Sequence, residues 1–315
     1  MKKIPLIVVA GPTASGKTSL GIAICKKFGG EVISADSMQV YKGMDIATAK
    51  PTKEEMGDIP HHLIDIIEPE DAFSVAEFKK AAEEKISEII SKGKIPVIVG
   101  GTGLYIDNLV NNIELIDSPA DLEIRQKLMD RADNEGLDVL IEELRQIDPE
   151  YVSNLKEINK KRIVRALELW HSTGITITQQ NKLSRLNESP YDVCYICLDA
   201  HDREILYSRI NKRVDKMVEE GLVEEAVQFI ENRGITSAQA IGYKELAPYF
   251  NNEKTLEQAL DSLKQGTRRY AKRQLTWFRR NEKAVHLFID EYENPDELYQ
   301  AAFNIIEASS VLKEG

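Results

Sequence analysis

The chain has 315 residues, 42% of them hydrophobic and 30% charged, the balance of a globular protein with a sizeable core. Its net charge of −11 repels nucleic acid overall, so any nucleic-acid contact must come from a local basic face. No apolar run approaches membrane-spanning length. The chain enters strand-like sequence almost at once after Met1, leaving no room for a signal or transit peptide, so the expectation is a cytoplasmic protein.

The apolar run Leu6–Ala10 reads as a buried strand. It leads into Gly11-Pro12-Thr13-Ala14-Ser15-Gly16-Lys17-Thr18, a complete G-x-x-x-x-G-K-[ST] phosphate-binding loop. Gly11 and Gly16 permit backbone conformations that aim successive N–H groups at phosphate oxygens. Lys17 adds a mobile positive charge, and Thr18 offers a hydroxyl to Mg²⁺. The helix predicted over Ser19–Phe28 points its positive end at the same anion. The loop identifies a di- or triphosphate ligand without saying which one, or what becomes of it.

A second strand follows at Val32–Ala35, a helix at Ser74–Ser91 and a third strand at Ile95–Val99. This β-α-β-α-β series predicts an α/β fold with a parallel sheet flanked by helices on both faces. Ligands of such sheets bind outside the carboxyl ends of the strands. The loops of interest are therefore Gly11–Thr18, Asp36–Gln39 and Gly100–Gly103.

From about Ile113 the character changes. A turn and helix start are predicted at 117–121. Amphipathic helices follow at Leu122–Asp133, Leu137–Gln146, Pro149–Leu155 and Lys160–Ser172, and then a loop at 185–190. Residues 113–190 thus read as a mainly helical insertion domain between core segments 1–112 and 191–315. The chain re-enters the sheet at Val193–Asp199. Helices are expected at Glu204–Glu220, 223–232, 238–246, Leu256–Lys283 and Pro295–Ser309, with a last strand at Val285–Ile289.

Asp36, at a strand end beside the phosphate loop, could hold Mg²⁺, act as a base, or simply cap a turn. Basic residues cluster despite the acidic total. Lys160, Lys161, Arg162 and Arg165 open one helix. Arg268, Arg269, Lys272, Arg273, Arg279 and Arg280 crowd another, interleaved with Tyr270, Trp277 and Phe278. Such stripes suit a phosphate backbone with stacked bases, or a solvated helix face. Arg209 and Arg213 lie one helical turn apart and suit a diphosphate, or a salt-bridged surface helix. Cys194 and Cys197 form C-x-x-C, but on a strand they point to opposite faces and read as packing thiols. His61-His62 lacks ligands at metal-binding spacing. These features leave open a small-molecule or nucleoside kinase that uses a nucleotide such as ATP, a non-enzymatic RNA-binding module, and a transferase.

Taken together the motifs resemble the bacterial tRNA dimethylallyltransferase (isopentenyltransferase) family. The resemblance rests on residues 11–18, Ser34-Ala35-Asp36-Ser37, 40–46, Thr48-Ala49-Lys50-Pro51, Pro60-His61-His62-Leu63 and 100–105. It continues through 161–168, Gly242-Tyr243 and 272–277, in order over roughly residues 4–290. It implies a P-loop NTPase-like core and transfer of a dimethylallyl group from dimethylallyl diphosphate to N6 of adenosine-37, beside the tRNA anticodon, with release of diphosphate.

By the same resemblance, Gly11, Pro12, Thr13, Ala14, Ser15, Gly16, Lys17 and Thr18 bind the diphosphate. Thr18 carries Mg²⁺, Arg213 steadies the leaving charge, and Asp36 is the general base. Asp36, Ser37, Met38, Gln39, Thr102, Lys161, Arg162, Ile163, Val164, Arg165, Ala240, Ile241, Gly242, Tyr243 and Lys244 match segments that touch the anticodon stem-loop, with Arg125 as a further candidate. The expected partners are tRNA and the prenyl donor, with no membrane, and the expected state is a monomer.

Overall fold

The computed structural model describes residues 3–114, 122–155, 157–184, 187–230, 237 and 240–312. The turn at 117–121, most of 231–239 and the loop residues 185 and 186 lie outside them. The chain divides into two compact units. One is formed by Met1–Val110 with Pro190–Gly315, the other by Asn111–Ser189.

The first unit is built on a six-stranded sheet. Its strands are β1 (Ile4–Ala10), β2 (Gly30–Ser34), β3 (His61–His62), β4 (Ile95–Gly100), β5 (Tyr191–Asp199) and β6 (Val285–Phe288), in the order β3-β2-β4-β1-β5-β6. Every pairing is parallel. Strands buried on both faces become nearly continuous apolar runs, as Leu6-Ile7-Val8-Val9-Ala10 shows. Alternation then divides the core. Leu6, Val8 and Ala10 join one cluster, while Ile7 and Val9 join the other. Cys197 belongs to the first cluster and Cys194 to the second, so the two thiols face opposite sides of the sheet; both are buried.

On one face lie α1 (Lys17–Phe28) and α14 (Pro295–Ala308), contributing Leu20, Ile24, Leu298 and Ile306. On the other lie α3 (Val75–Ser91), α4 (Gly103–Val110) and α13 (Leu256–Phe278), contributing Phe78, Ile86, Leu109 and Leu263. The unit is completed by α2 (Lys53–Met56), α10 (Arg203–Glu219), α11 (Leu222–Ile230) and α12 (Tyr243–Phe250).

Four elements depart from the sequence reading in ways that matter here. The two-residue β3 and the apolar α4 are too short for a periodic signal. The predicted helix over 238–246 is displaced. Its first two residues lie outside the described residues, and the observed helix starts only after Gly242, whose φ of 125° interrupts any earlier turn; it then runs through Pro248. The helix expected to reach Lys283 stops at Phe278, where Asn281 N–H bonds the Phe278 carbonyl and turns the chain toward β6.

The second unit is helical: α5 (Leu122–Asn134), α6 (Leu137–Ile147), α7 (Pro149–Ser153), α8 (Lys160–Thr173) and α9 (Ile177–Leu183). Its own core is formed by Leu128, Leu140, Leu144, Ile163 and Leu167, among others. Among the described residues no helix is long and apolar enough to cross a membrane.

Candidate active site

The ends of β1, β2 and β4 converge on one cavity of about 370 Å³ within the first unit. The phosphate loop forms one wall. Gly16 sits at φ 93°, a left-handed conformation open to glycine, and the chain turns there directly into α1. No side chain caps α1, so the N–H groups of its first turn are left for an anion. Lys17 Nζ rests 3.2 Å from the Pro12 carbonyl. Burial pulls its ammonium down to about 8; Asp36 opposes that shift and Arg213 adds to it.

Arg213, on α10, reaches the same wall. It donates to Thr13 Oγ1 at 3.2 Å and to the Ala49 carbonyl at 3.5 Å. Burial also lowers its proton affinity, and the Asp36 charge is the largest opposing influence. Both cations are thus desolvated and held near one carboxylate, an arrangement suited to an incoming polyanion. Arg209, one turn earlier on α10, is exposed and does not line the cavity.

Asp36 follows β2 and lines the cavity with Thr18, Ser37, Met38 and Gln39. Its Oδ1 accepts the Met38 N–H at 2.9 Å, the turn expected of an aspartate at a strand end, while leaving its other oxygen for a ligand. Thr102 Oγ1 accepts the Ser37 N–H at 3.1 Å, joining the loops after β2 and β4. Gln39 Nε2 donates to the Thr48 and Ala49 carbonyls at 3.3 and 3.1 Å. The remaining walls are largely apolar: Ala47, Ile64, Ile210, Val214, Met217, Leu222 and Leu263.

Ala240, Ile241, Gly242 and Lys244 line this cavity too. Tyr243 does not. It is fully buried, and its hydroxyl donates to Glu225 at 2.8 Å.

Three residues that are not among the predicted site residues complete the site. Gln274 is 5% exposed and bridges the phosphate loop and the Gly100–Gly103 loop. Tyr270 lines the cavity beside Asp36, and burial together with that charge pushes its hydroxyl well above the ordinary range, so it stays protonated. Glu225, on α11, accepts the backbone N–H groups of Asp45, Ile46 and Ala47. In the sequence Tyr270 reads only as an aromatic of the basic stretch, and Gln274 only as part of the 272–277 motif, neither with a role at the phosphate loop or beside Asp36. Glu225 carries no local signal at all. Arg269, Lys272, Arg273 and Arg280 of that stretch are exposed, and Arg273 lines the cavity; Arg279 instead clasps Asp199 with contacts of 2.8 and 2.7 Å.

In the second unit, Asn159 caps α8 by accepting the Lys161 and Arg162 N–H groups, and both side chains are exposed. Ile163 and Val164 are buried in the unit's core and hold the helix in place by packing. Arg125 is bound in a two-pronged contact to Glu168 at 2.9 and 3.0 Å, and Arg165 reaches the same carboxylate at 2.9 Å. Glu168 is fully buried, so its charge depends on these two guanidinium groups.

Known proteins match nearly the whole chain. A tRNA dimethylallyltransferase from Thermoanaerobacter sp. (strain X514) is 47% identical over 299 residues, covering 94% of this chain and 95% of that one. A protein of the same name from Caldanaerobacter subterraneus subsp. tengcongensis is 45% identical over 307 residues, covering 96% and 98%. The solved structure of a full-length tRNA isopentenylpyrophosphate transferase from Bacillus halodurans is 42% identical with a TM-score of 0.72, covering 97% of this chain and 96% of that one. A eukaryotic dimethylallyltransferase acting on tRNA is 28% identical with a TM-score of 0.79, covering 98% and 81%. The family model described as IPP transferase matches residues 39–281, and with these relatives it establishes that the chain belongs to the IPP transferase family.

Proposed function

We propose that the protein transfers the dimethylallyl group of dimethylallyl diphosphate to N6 of the adenosine beside the tRNA anticodon, adenosine-37, releasing diphosphate. The observation that carries this reading is the single cavity in which Lys17, Thr18 and Arg213 face Asp36 across largely apolar walls. Cations suit the diphosphate, the apolar surface suits the five-carbon chain, and the carboxylate suits an amine that must lose a proton.

In the reaction the C1–O bond of the donor breaks and an N6–C1 bond forms. The loop N–H groups, Lys17 and Arg213 gain most as charge grows on the departing diphosphate, so they act chiefly in the transition state. The adenine amine is a weak nucleophile because its lone pair is shared with the ring; Asp36 orients it and takes its proton. Tyr270, kept protonated, lines the same region. The adenine must leave its stack to enter, at a cost of a few kcal/mol.

The residues fit Mg²⁺. Thr18 opens the uncapped end of α1, and no group of three or more His, Cys, Asp or Glu suited to a metal occurs among the described residues. Mg²⁺ is commonly bound this way, with few protein ligands and most of its shell from phosphates and water. Thr18 would hold it together with the diphosphate. When bound, it supplies positive charge against the leaving group.

Lys161 and Arg162 in the second unit, and Arg269, Lys272, Arg273 and Arg280 in the first, supply local positive charge for the RNA backbone in an otherwise acidic chain, while Arg165 shares Glu168 with Arg125. Arg125 acts within this scheme by neutralising Glu168. The reading is tested by diphosphate release in the presence of Mg²⁺, which should require both dimethylallyl diphosphate and unmodified tRNA. Phosphate release from ATP with neither present would instead indicate a kinase-like activity.

A further inference from the structure

Glu225 makes four hydrogen bonds that converge from two segments of the cavity wall. Its Oε2 accepts the N–H groups of Asp45 and Ile46 at 2.9 and 2.7 Å. Its Oε1 accepts the Ala47 N–H at 2.9 Å and the Tyr243 hydroxyl at 2.8 Å. Such a carboxylate acts as a staple, because each charge-assisted bond is stronger than a neutral one.

The packing around the staple is equally close. A Cβ added at Gly242 would come within 3.0 Å of the Ala47 Cβ, so the backbone of 242 lies directly on residue 47. The Phe229 ring, one turn along α11 from Glu225, stacks on Tyr243 at 5.6 Å between centroids. A Cβ at Gly43 would approach that same ring to 3.1 Å. One face of α11, through Glu225 and Phe229, therefore touches both the loop of residues 43–47 and Tyr243.

The two gripped segments serve different ligands in the reading above, on which this inference rests. The loop continues into Thr48 and Ala49, and the Ala49 carbonyl accepts from Arg213, the residue assigned to the diphosphate. Tyr243 belongs to 240–244, assigned to the RNA, whose Ala240, Ile241, Gly242 and Lys244 face the same cavity. We infer that Glu225 is a positioning residue that couples the two halves of the site: a donor that fixes Arg213 and the loop through Ala49 also fixes the segment that receives the adenosine.

Coupling of this kind is reciprocal and commonly amounts to a 5- to 150-fold change in affinity, that is, about 1–3 kcal/mol. The test uses the full chain with Mg²⁺, an anticodon stem-loop RNA, and dimethylallyl thiolodiphosphate, a donor whose bridging sulfur slows transfer. The Kd for RNA is measured by fluorescence anisotropy with and without saturating analogue, and the ratio of the two is the coupling factor. It should be about fivefold or more in the wild type. It should fall to within about twofold of unity in Glu225→Gln, which puts an amide N–H against backbone donors, and in Tyr243→Phe, which keeps the three loop bonds and cuts only the link across. As a ratio, the factor is unmoved by a uniform loss of affinity, which is what a merely structural role would produce.

If Glu225→Gln does not fold, Tyr243→Phe decides alone. A wild-type factor of unity, or the full factor retained in the folded variants, overturns the inference while leaving the transfer reading intact. A wild-type protein that binds neither analogue nor RNA overturns both.

Discussion

The side-chain carbonyl of Gln274 accepts the backbone N–H of Thr13 at 2.9 Å, across 261 residues of chain. The other end of the same amide donates to the Gly101 carbonyl, also at 2.9 Å. A Cβ at Gly101 would lie 2.2 Å from that nitrogen, and one at Gly103 would lie 2.3 Å from the Trp277 ring. The glycines after β4 are therefore required by the close approach of α13, and a single glutamine on that helix sets the spacing of two loops that face the ligand.

Replacing Gln274 with Ala leaves the buried Gly101 C=O unpaired, at a cost of about 1–3 kcal/mol, and frees the half-buried Thr13 N–H. The phosphate loop is then no longer held at a fixed distance from Gly101. The expected result is a lower melting temperature together with a raised KM for the prenyl donor. Steady-state kinetics at saturating tRNA reads the second effect. An unchanged donor KM would show that Gln274 supports the fold without shaping the diphosphate site.

Asp36→Asn keeps the oxygen that accepts the Met38 N–H and removes the capacity to take a proton. Single-turnover transfer should slow by about 10²–10⁴-fold with little change in RNA affinity. Transfer at the wild-type rate would remove Asp36 as the base.

Lys17 makes donor binding depend on pH. Its ammonium titrates near about 8 in the free protein, so above that pH the diphosphate must bind together with a proton. Donor affinity should therefore fall as pH rises past this value, and calorimetric titration in buffers of different ionisation enthalpy should detect proton uptake that Lys17→Met abolishes. The stability effect has the opposite sign. Between about 8 and the ordinary lysine value the unfolded chain holds the extra proton, so this group makes the ligand-free protein more stable as pH rises. At neutral pH Lys17→Met should raise the melting temperature of the ligand-free protein while weakening donor binding. A melting temperature that falls would mean that the ammonium is not desolvated.

Lys161 and Arg162 are exposed at the start of α8. Their joint replacement by Gln should weaken tRNA binding and lower the slope of log Kd against log salt concentration by about 0.7–0.9 for each phosphate that is no longer neutralised. An unchanged slope in filter binding would assign both charges to solvent.

Much of this architecture is legible in the sequence because it is local. The phosphate loop occupies eight consecutive residues. The central strands β1 and β4 are almost unbroken apolar runs, and Asp36 sits just past the end of β2. Residues that act across the fold are not legible in that way. Gln274 works through partners more than 170 residues distant, as do three of the four bonds of Glu225, and nothing in their neighbours distinguishes them from surface polar residues. The i, i+4 spacing of Arg209 and Arg213 places them on adjoining parts of one helix face, yet the cavity ends between them, which spacing cannot reveal. Charge is misleading in a similar way. Arg279 looks like its neighbours in sequence but is consumed by the buried Asp199, and Arg125 by the buried Glu168.

On the proposed function, the reaction of a prenyl donor with a tRNA adenine takes place in the cavity shared by Lys17, Arg213 and Asp36. It is tested most directly by incubating the protein with Mg²⁺, dimethylallyl diphosphate and unmodified tRNA, then digesting the RNA and analysing its nucleosides by mass spectrometry. The expected product is an N6-dimethylallyl adenosine that maps to the position beside the anticodon and does not form with the Asp36→Asn protein. Unmodified adenosine throughout, while an active enzyme of the family modifies the same tRNA in parallel, would contradict it.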